Sequence, residues 1–425
     1  MARANGYDWK IGAPLPALGE HSAAKHEIFD RYIEAYIRTV TKNHLQRGLN
    51  LTIVDGFCGG GRYAFHRQEV DGSPLRMLAA VERADAALVE ARVNGFDLKV
   101  DFVFVDENKD HVDFLRDILG QRGYGARIGG DIRVIHSTFE AACPDILARI
   151  RAKGRAHRSL FFLDQYGWSG VTLETVRQIL GGLANPEVIL TFMVDNLINL
   201  LNDRSVDMQA MVALDLTRED VRGLIDQKGR AGWKRILQNT LYAHIQERTG
   251  ADFYTPFFIH PEESNRDYWL LHLSKHHQAR EEMGKVHWQL ENTFEHFGGA
   301  GFNALGFDPR QDVRQGMFDY TFNDDARARS SAALIDQIPR LLHANEADAG
   351  RPVTKRDLFV ARCNDTPVVA DMVDQQLALL RNEREIVIVG ADGREKPRAQ
   401  SFAWDDQLRF VRQRTMFSTL GFRAA

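Results

Sequence analysis

A chain of 425 residues has room for two or three domains with sizeable cores, and 44% hydrophobic with 26% charged residues is a globular composition. The formal net charge of −4 excludes a strong global field toward nucleic acid but leaves room for a local basic patch. No run of 18 apolar residues and no signal-peptide core is present, and Cys58, Cys143 and Cys363 are too few and too scattered for a disulfide framework, so a cytoplasmic setting without membrane contact is expected.

In chain order, residues 22–41 are amphipathic, with Ile28, Tyr32, Ala35 and Tyr36 on one face, and predict a helix that lids a sheet. Lys25 and His26 on that helix are candidate substrate contacts. The run Ile53-Val54 then stops at Asp55 and turns through Gly56-Phe57-Cys58-Gly59-Gly60-Gly61. A strand that delivers a carboxylate into a glycine turn builds a small-molecule pocket at its carboxyl end, where a ligand approaches the backbone closely. After the polar stretch 62–72, Ser73-Pro74 reads as an N-cap and first-turn pair.

The same grammar recurs downstream. Asp101-Phe102-Val103-Phe104-Val105 ends at Asp106-Glu107, an end-of-strand acid of the kind that accepts hydrogen bonds from a ribose diol. Ile132 to Ile135 ends at His136-Ser137-Thr138-Phe139, whose hydroxyls either cap the next helix or face a ligand. Leu160 to Leu163 ends at Asp164-Gln165-Tyr166-Gly167-Trp168, and Val188 to Met193 is a fifth strand. Strands alternating with helical patterns predict a parallel sheet covered on both faces. Residues 197–250 read as a charged helical insertion over the carboxyl edge of that sheet, followed by two strands at Phe257-Phe258-Ile259 and Trp269-Leu270-Leu271.

A nicotinamide site usually starts its helix directly after the glycines so that the helix N-terminus meets a pyrophosphate. Here the delay from Gly61 to Ser73 argues for S-adenosylmethionine, whose amino-acid end needs backbone and carboxylate partners.

The combination Asp55-Gly56-Phe57-x-Gly59-x-Gly61-Arg62-Tyr63, Gly72-Ser73-Pro74-Leu75, Leu163-Asp164-x-Tyr166-Gly167-Trp168-Ser169-Gly170 and Leu190-Thr191-Phe192-Met193-x-Asp195-Asn196 resembles the three-Cys-motif partner family. That family is similar to class I S-adenosylmethionine-dependent methyltransferases, and the resemblance runs from Lys25 to about Met283. The cysteine motif of its name belongs to a partner protein, so the three cysteines here do not bear on it. The resemblance implies an α/β Rossmann-like sheet with S-adenosylmethionine as cofactor. Asp55, Gly56, Phe57, Cys58, Gly59 and Gly61 would hold its methionine part, and Asp106, with Glu107 as the substitute, its ribose. Ser137, Thr138 and Phe139 would lie near adenine. Asp164, Tyr166 and Trp168 would face the transferred methyl, with Lys25, Arg62, Tyr63 and Gln165 toward the acceptor. Nucleic-acid amino-methyltransferases carry Asp/Asn-Pro-Pro-Tyr/Phe at this last segment, where the ring stacks on a flipped base. This chain has Gln165 in place of the first proline and its aromatic one position early.

Several of these residues have plainer readings. Tyr166 and Trp168 suit packing at a sheet edge, Asp164 suits a cap for the helix at Thr172–Leu180, and Cys58 suits a small buried residue in the turn. Arg62 and Tyr63 either reach substrate or tie down the long loop, and His111 reads as a helix-face histidine. No third partner stands at metal spacing from His276-His277, so no metal is expected.

Gly298-Gly299-Ala300-Gly301 and the polar stretch after it mark a connector, giving expected domains at 1–305, 306–330 and 331–425. The last unit reads as helices at Ile335–Leu342, Lys355–Cys363 and Pro367–Asn382, a strand at Glu385–Val389, a turn at 390–393 and a basic return through Arg394–Arg398. That is winged-helix topology. From 351 to 425, 13 Lys and Arg stand against 10 Asp and Glu, and Asp371 and Asp374 on the recognition helix disfavour phosphate. The expected function is methyl transfer from S-adenosylmethionine to nucleic acid or a nucleobase-bearing molecule. Two alternatives stand beside it: a small-metabolite methyltransferase whose winged helix makes a homodimer, and a non-catalytic S-adenosylmethionine-binding partner.

Overall fold

A computed structural model describes residues 7–92, 95–165, 170–192, 213–227, 233–259, 268–290, 294–297, 319–321, 324–349 and 352–411. They fall into two compact units, one running to His296 and taking in 319–321, the other taking the residues from Asp324 onward. Among the described residues no helix is long and apolar enough to cross a membrane.

The first unit begins with helix α1 (Glu20–Val40), then β1 (Gly48–Asp55), β2 (Arg62–Phe65), β3 (Gln68–Asp71), α2 (Ser73–Ala91), β4 (Asp97–Asp106) and α3 (Lys109–Gln121). It continues through β5 (Ile132–His136), α4 (Phe139–Ala152), β6 (Arg158–Leu163), α5 (Leu173–Gly182) and β7 (Pro186–Phe192). Next come α6 (Arg218–Gln227), α7 (Trp233–Thr249), β8 (Phe253–Ile259), β9 (Tyr268–Ser274), α8 (His277–Gln289), β10 (Phe294–Phe297) and β11 (Asp319–Thr321). The strands form one sheet in the order β11-β10-β8-β9-β7-β6-β1-β4-β5, with β2 and β3 apart as a hairpin. From β5 to β7 the neighbours run parallel, whereas β9 and β8 are antiparallel. This is a mixed α/β fold with a parallel centre, consistent with a Rossmann-like methyltransferase sheet and its terminal antiparallel pair.

The apolar runs explain the centre. Ile53, Val54, Phe102, Phe104, Phe161 and Phe162 are buried, as strands covered on both faces require, and each such burial contributes roughly 2 kcal/mol. Because chain order reverses between β1 and β6, a crevice opens at the carboxyl ends of these strands. Asp55 pairs in register with Phe104 of β4 and Phe162 of β6, which brings Asp55, Asp106 and Asp164 to one edge. Helix α1 packs its apolar stripe against this sheet, with Phe29 4.9 Å from Phe162 between ring centroids. Tyr32 on the same helix donates to Glu187 of β7 and lies 3.0 Å from His272 Nε2 of β9, which fixes the height of α1 over the sheet.

Two local expectations change. Residues 62–71 are not an irregular loop: they pair as a hairpin through His66 and Arg67, both at positive φ, 46° and 63°. Their polar side chains hid the pattern because the hairpin lies outside the main sheet. Gly72, not Ser73, is the N-cap of α2, with Pro74 in its first turn. Of the expected 197–250 insertion, α6 and α7 are seen, while 197–212 and 228–232 lie outside the described residues.

The second unit contains α9 (Asp324–Ala349), β12 (Val353–Thr354), α10 (Lys355–Val360), α11 (Ala370–Asn382), β13 (Ile386–Val389) and β14 (Gln407–Phe410), with strand order β12-β14-β13. Helix α9 is far longer than the expected Ile335–Leu342. The strand pairing with β13 is Gln407–Phe410 rather than Arg394–Arg398. Residues 390–406 form a long loop instead, pinned by the Lys396 amide donating to the Ile388 carbonyl at 2.9 Å and by a 2.7 Å ion pair from Lys396 to Asp406. Asp374, expected beside Asp371 on an open helix face, is turned inward to a 2.7 Å ion pair with buried Lys355.

Candidate site at the carboxyl edge of the sheet

The β1 strand ends on Asp55, whose carboxylate is 2% exposed. Its Oδ1 accepts from the Phe57 amide at 3.2 Å, while Oδ2 is buried and meets no partner of hydrogen-bond geometry among the described residues. Burial pushes the Asp55 carboxyl up to about 7, opposed by the Ser73 hydroxyl and the Phe57 amide and reinforced by the charges of Asp164 and Asp106. Gly59 N donates to Asp106 Oδ2 at 3.0 Å, which folds the glycine turn onto the end of β4. Asp106 Oδ1 accepts from Asn108 N at 2.8 Å and from His111 Nδ1 at 3.1 Å. Asn108 Nδ2 donates to His111 Nε2 at 3.0 Å, which assigns the proton to Nδ1. Glu107 is exposed, and only its backbone carbonyl is engaged, by His136.

Each glycine of the turn is explained by a neighbour inside the protein. A Cβ on Gly59 or Gly60 would lie 2.6 Å and 2.3 Å from the Trp9 indole, and one on Gly56 would strike Leu163 and Phe139. Gly61 has φ +80, where only glycine is unstrained. Close approach is therefore real, but at Gly59 and Gly60 the approaching group is Trp9. Gly60→Ala is expected to lose about 1–3 kcal/mol by overpacking, and Trp9→Ala in the same chain to recover part of it, measured as a double-mutant cycle in urea. Additive losses would show that the two residues do not touch.

The remaining expected residues divide clearly. Cys58 is buried, its amide bonded to the Val105 carbonyl and its thiol pushed well up by burial, so it fills space. Phe57 stands 6.3 Å from Phe139 between ring centroids, and Phe139 itself is core. Ser137 is half-buried with its amide on the Asp106 carbonyl, and Thr138 caps α4 by accepting from Ala141 N. Arg62 pairs with Glu69 at 2.5 Å, and Tyr63 is buried against Trp9, Tyr7 and Gly72. A cavity of about 500 Å³ lies between α4 and the β4–β5 edge and reaches the carboxyl edge only at Ser137.

At the end of β6, Asp164 forms a 2.6 Å ion pair with Lys25 of α1, and does not cap α5, whose N-cap is Thr172. Burial raises the Asp164 carboxyl, but the Lys25 ammonium and the Thr191 hydroxyl outweigh it, so it titrates below its ordinary value. Gln165 is buried, its Oε1 accepting from Gly170 N at 2.8 Å and Val171 N at 3.0 Å, and its Nε2 meets no partner among the described residues. Tyr166 and Trp168 lie outside the described residues. Two residues of this edge escaped the sequence reading of the site, Trp9 and His111 on Asp106. His26, expected as a candidate substrate contact, is buried, and its Nδ1 meets no hydrogen-bond partner among the described residues. Burial pushes the His26 imidazole down to about 3, so the ring is neutral. The signal for Trp9 was the Tyr7-x-Trp9 pair, two large aromatics ahead of the first helix. Among the described residues no group of three His, Cys, Asp or Glu is placed to hold a metal.

No protein-family model matches the chain, and neither does any curated protein sequence. Solved structures with some likeness include protein LPL1258 of Legionella pneumophila, 8% identical over 61% of this chain and 89% of that one, TM-score 0.33. The plantazolicin methyltransferase BamL, solved with SAH, is 9% identical over 60% of this chain and 86% of that one, TM-score 0.27. The bifunctional kinase-methyltransferase WbdD is 9% identical over 88% of this chain and 74% of that one, TM-score 0.33. Methyltransferases thus recur among these neighbours, but likeness this slight carries no argument about what this chain does.

Proposed function

We propose that this chain transfers a methyl group from S-adenosylmethionine to a nucleobase-bearing acceptor. The observation that carries the reading is the carboxyl edge itself: Asp55, Asp106 and the Lys25–Asp164 pair at adjacent strand ends, with a buried Asp55 oxygen that no donor among the described residues meets in hydrogen-bond geometry. These residues fit the donor. The donor's ammonium would supply a hydrogen bond to Asp55 Oδ2. A carboxylate accepts about four hydrogen bonds, and Asp106 uses three, which leaves room for a ribose hydroxyl.

When bound, S-adenosylmethionine supplies an electrophilic methyl on sulfur. The protein's part is to orient the acceptor and keep the site dry. Asp164, kept ionised by Lys25, accepts a hydrogen bond from an acceptor N–H and so turns its lone pair toward the donor. The nucleobase assignment rests on the Asp164-Gln165-Tyr166 order and on reading the second unit as a winged helix, which its order of α9, β12, α10, α11, β13 and β14 supports.

One observation favours the small-metabolite alternative. The outward row of α11 is Asp371, Gln375, Leu379 and Asn382, with no cation to meet a phosphate, as suits a helix that docks protein. Titrating the folded protein with S-adenosylhomocysteine is expected to give one saturable site, and a flat calorimetric trace ends the proposal. A labelled-methyl screen across nucleic-acid, protein and metabolite fractions then identifies the acceptor. Nucleic-acid binding that does not weaken with added salt counts against the first class.

A further inference from the structure

Residues 7–18 form a strap across the glycine turn. Its carboxyl end is tied to the hairpin, with Leu18 N donating to the Ala64 carbonyl at 2.8 Å and Ala64 N to the Pro16 carbonyl at 2.9 Å. Its amino end is held through the Tyr7 hydroxyl, which accepts from Gly19 N and donates to Ser22, both at 3.2 Å. Between the two ties, Trp9 is 3% exposed although it belongs to no helix or strand. Its Nε1 donates to the Arg62 carbonyl at 2.5 Å, and its ring meets Tyr63 and His111 edge-on, with centroids at 5.0 and 4.8 Å. Asp8 beside it reaches His111 Nε2 at 3.8 Å, and His111 holds Asp106. Directly after Trp9 the chain swings out: Ile11 is 65% exposed, and Gly12 has φ +82 with nothing near its missing side chain.

We propose that Trp9 is a gate on the donor site. The indole holds the face of Gly59 and Gly60 that a bound donor uses, and the strap peels back about Gly12 to admit it. The inference rests on the donor reading above. The indole is a sound plug because it is apolar where it meets glycine Cα atoms and polar where it meets the Arg62 carbonyl, so the closed turn is dry and satisfied. Opening breaks that hydrogen bond and the Tyr7 ties to Gly19 and Ser22, so the closed form predominates without ligand. If about one molecule in ten is open, closure weakens apparent donor affinity about tenfold.

The test uses the full-length protein with S-adenosylhomocysteine as the probe. Trp9→Ala is expected to bind it at least tenfold more tightly than the natural chain, with Trp9→Phe in between. In the natural chain, saturating probe is expected to speed tryptic cleavage after Lys10 severalfold, because the strap is released. Weaker binding by Trp9→Ala together with protection of Lys10 overturns the gate and makes Trp9 a wall of the pocket. Equal affinities with unchanged cleavage overturn it as well. Should Trp9→Ala not fold, Trp9→Phe and the cleavage of the natural chain decide the question. Probe binding without any dependence on Trp9 removes the gate alone, whereas no binding by any form removes the donor reading and the gate with it.

Discussion

Lys25→Met is expected to destabilise the protein by about 3 kcal/mol, because it removes the cation paired with the Asp164 carboxylate and leaves that carboxylate stranded. Removing one partner of a buried pair typically costs about 3–5 kcal/mol, and the low end applies since the Asp164 side chain keeps 22% exposure. The double change Lys25→Met with Asp164→Asn is expected to regain most of that loss, because no charge is then left unpaired. Function separates from stability at this pair. Asp164→Asn is expected to keep donor affinity and lower labelled-methyl transfer at least 100-fold, within the usual range for a lost proton-accepting group. Denaturant midpoints of the four forms check the first claim, and transfer rates at saturating donor check the second. Turnover that survives Asp164→Asn would mean that β6 does not supply the catalytic carboxylate.

The strand ends of this edge were legible because three buried strands stop at an acid: Val54 to Asp55, Val105 to Asp106, Leu163 to Asp164. In a parallel sheet covered on both faces, an apolar run must end where the chain leaves the core, so one-dimensional pattern and three-dimensional edge coincide. What was not legible depends on partners distant in sequence. The glycine turn was read as ligand-driven, yet Gly59 and Gly60 are also required by Trp9, about fifty residues earlier, whose position no periodicity announces. Thr138 could be read as a cap because N-cap chemistry is local. Asp374 was misplaced because its partner, Lys355, comes from another helix, and an ion pair lets a carboxylate occupy an inward helix position. The return strand of the second unit was set too early because Arg394 to Lys396 bridge β13 only briefly before a loop intervenes.

Asp55 leads to a pH dependence of definite sign. Its carboxyl titrates at about 7 in the folded chain against about 3.9 when unfolded, so between those values the native state holds a proton that the unfolded state has released. Stability contributed by this group is therefore greatest below about pH 4, falls as pH rises through about 7, and levels off above it. At about 1.36 kcal/mol per unit, a difference of about three units sets a ceiling near 4 kcal/mol. Asp55→Asn has no charge to release there, so the difference between its denaturation profile and that of the natural chain isolates the effect from the other acids. On the proposed function the same carboxyl couples the fold to the donor. A cation seated against Oδ2 draws Asp55 to its ionised form, so below about pH 7 binding of S-adenosylhomocysteine is expected to expel close to one proton, and in Asp55→Asn none. Calorimetry in two buffers of different ionisation enthalpy counts that proton directly. A natural chain that binds the ligand without releasing it would place the ammonium somewhere other than the end of β1.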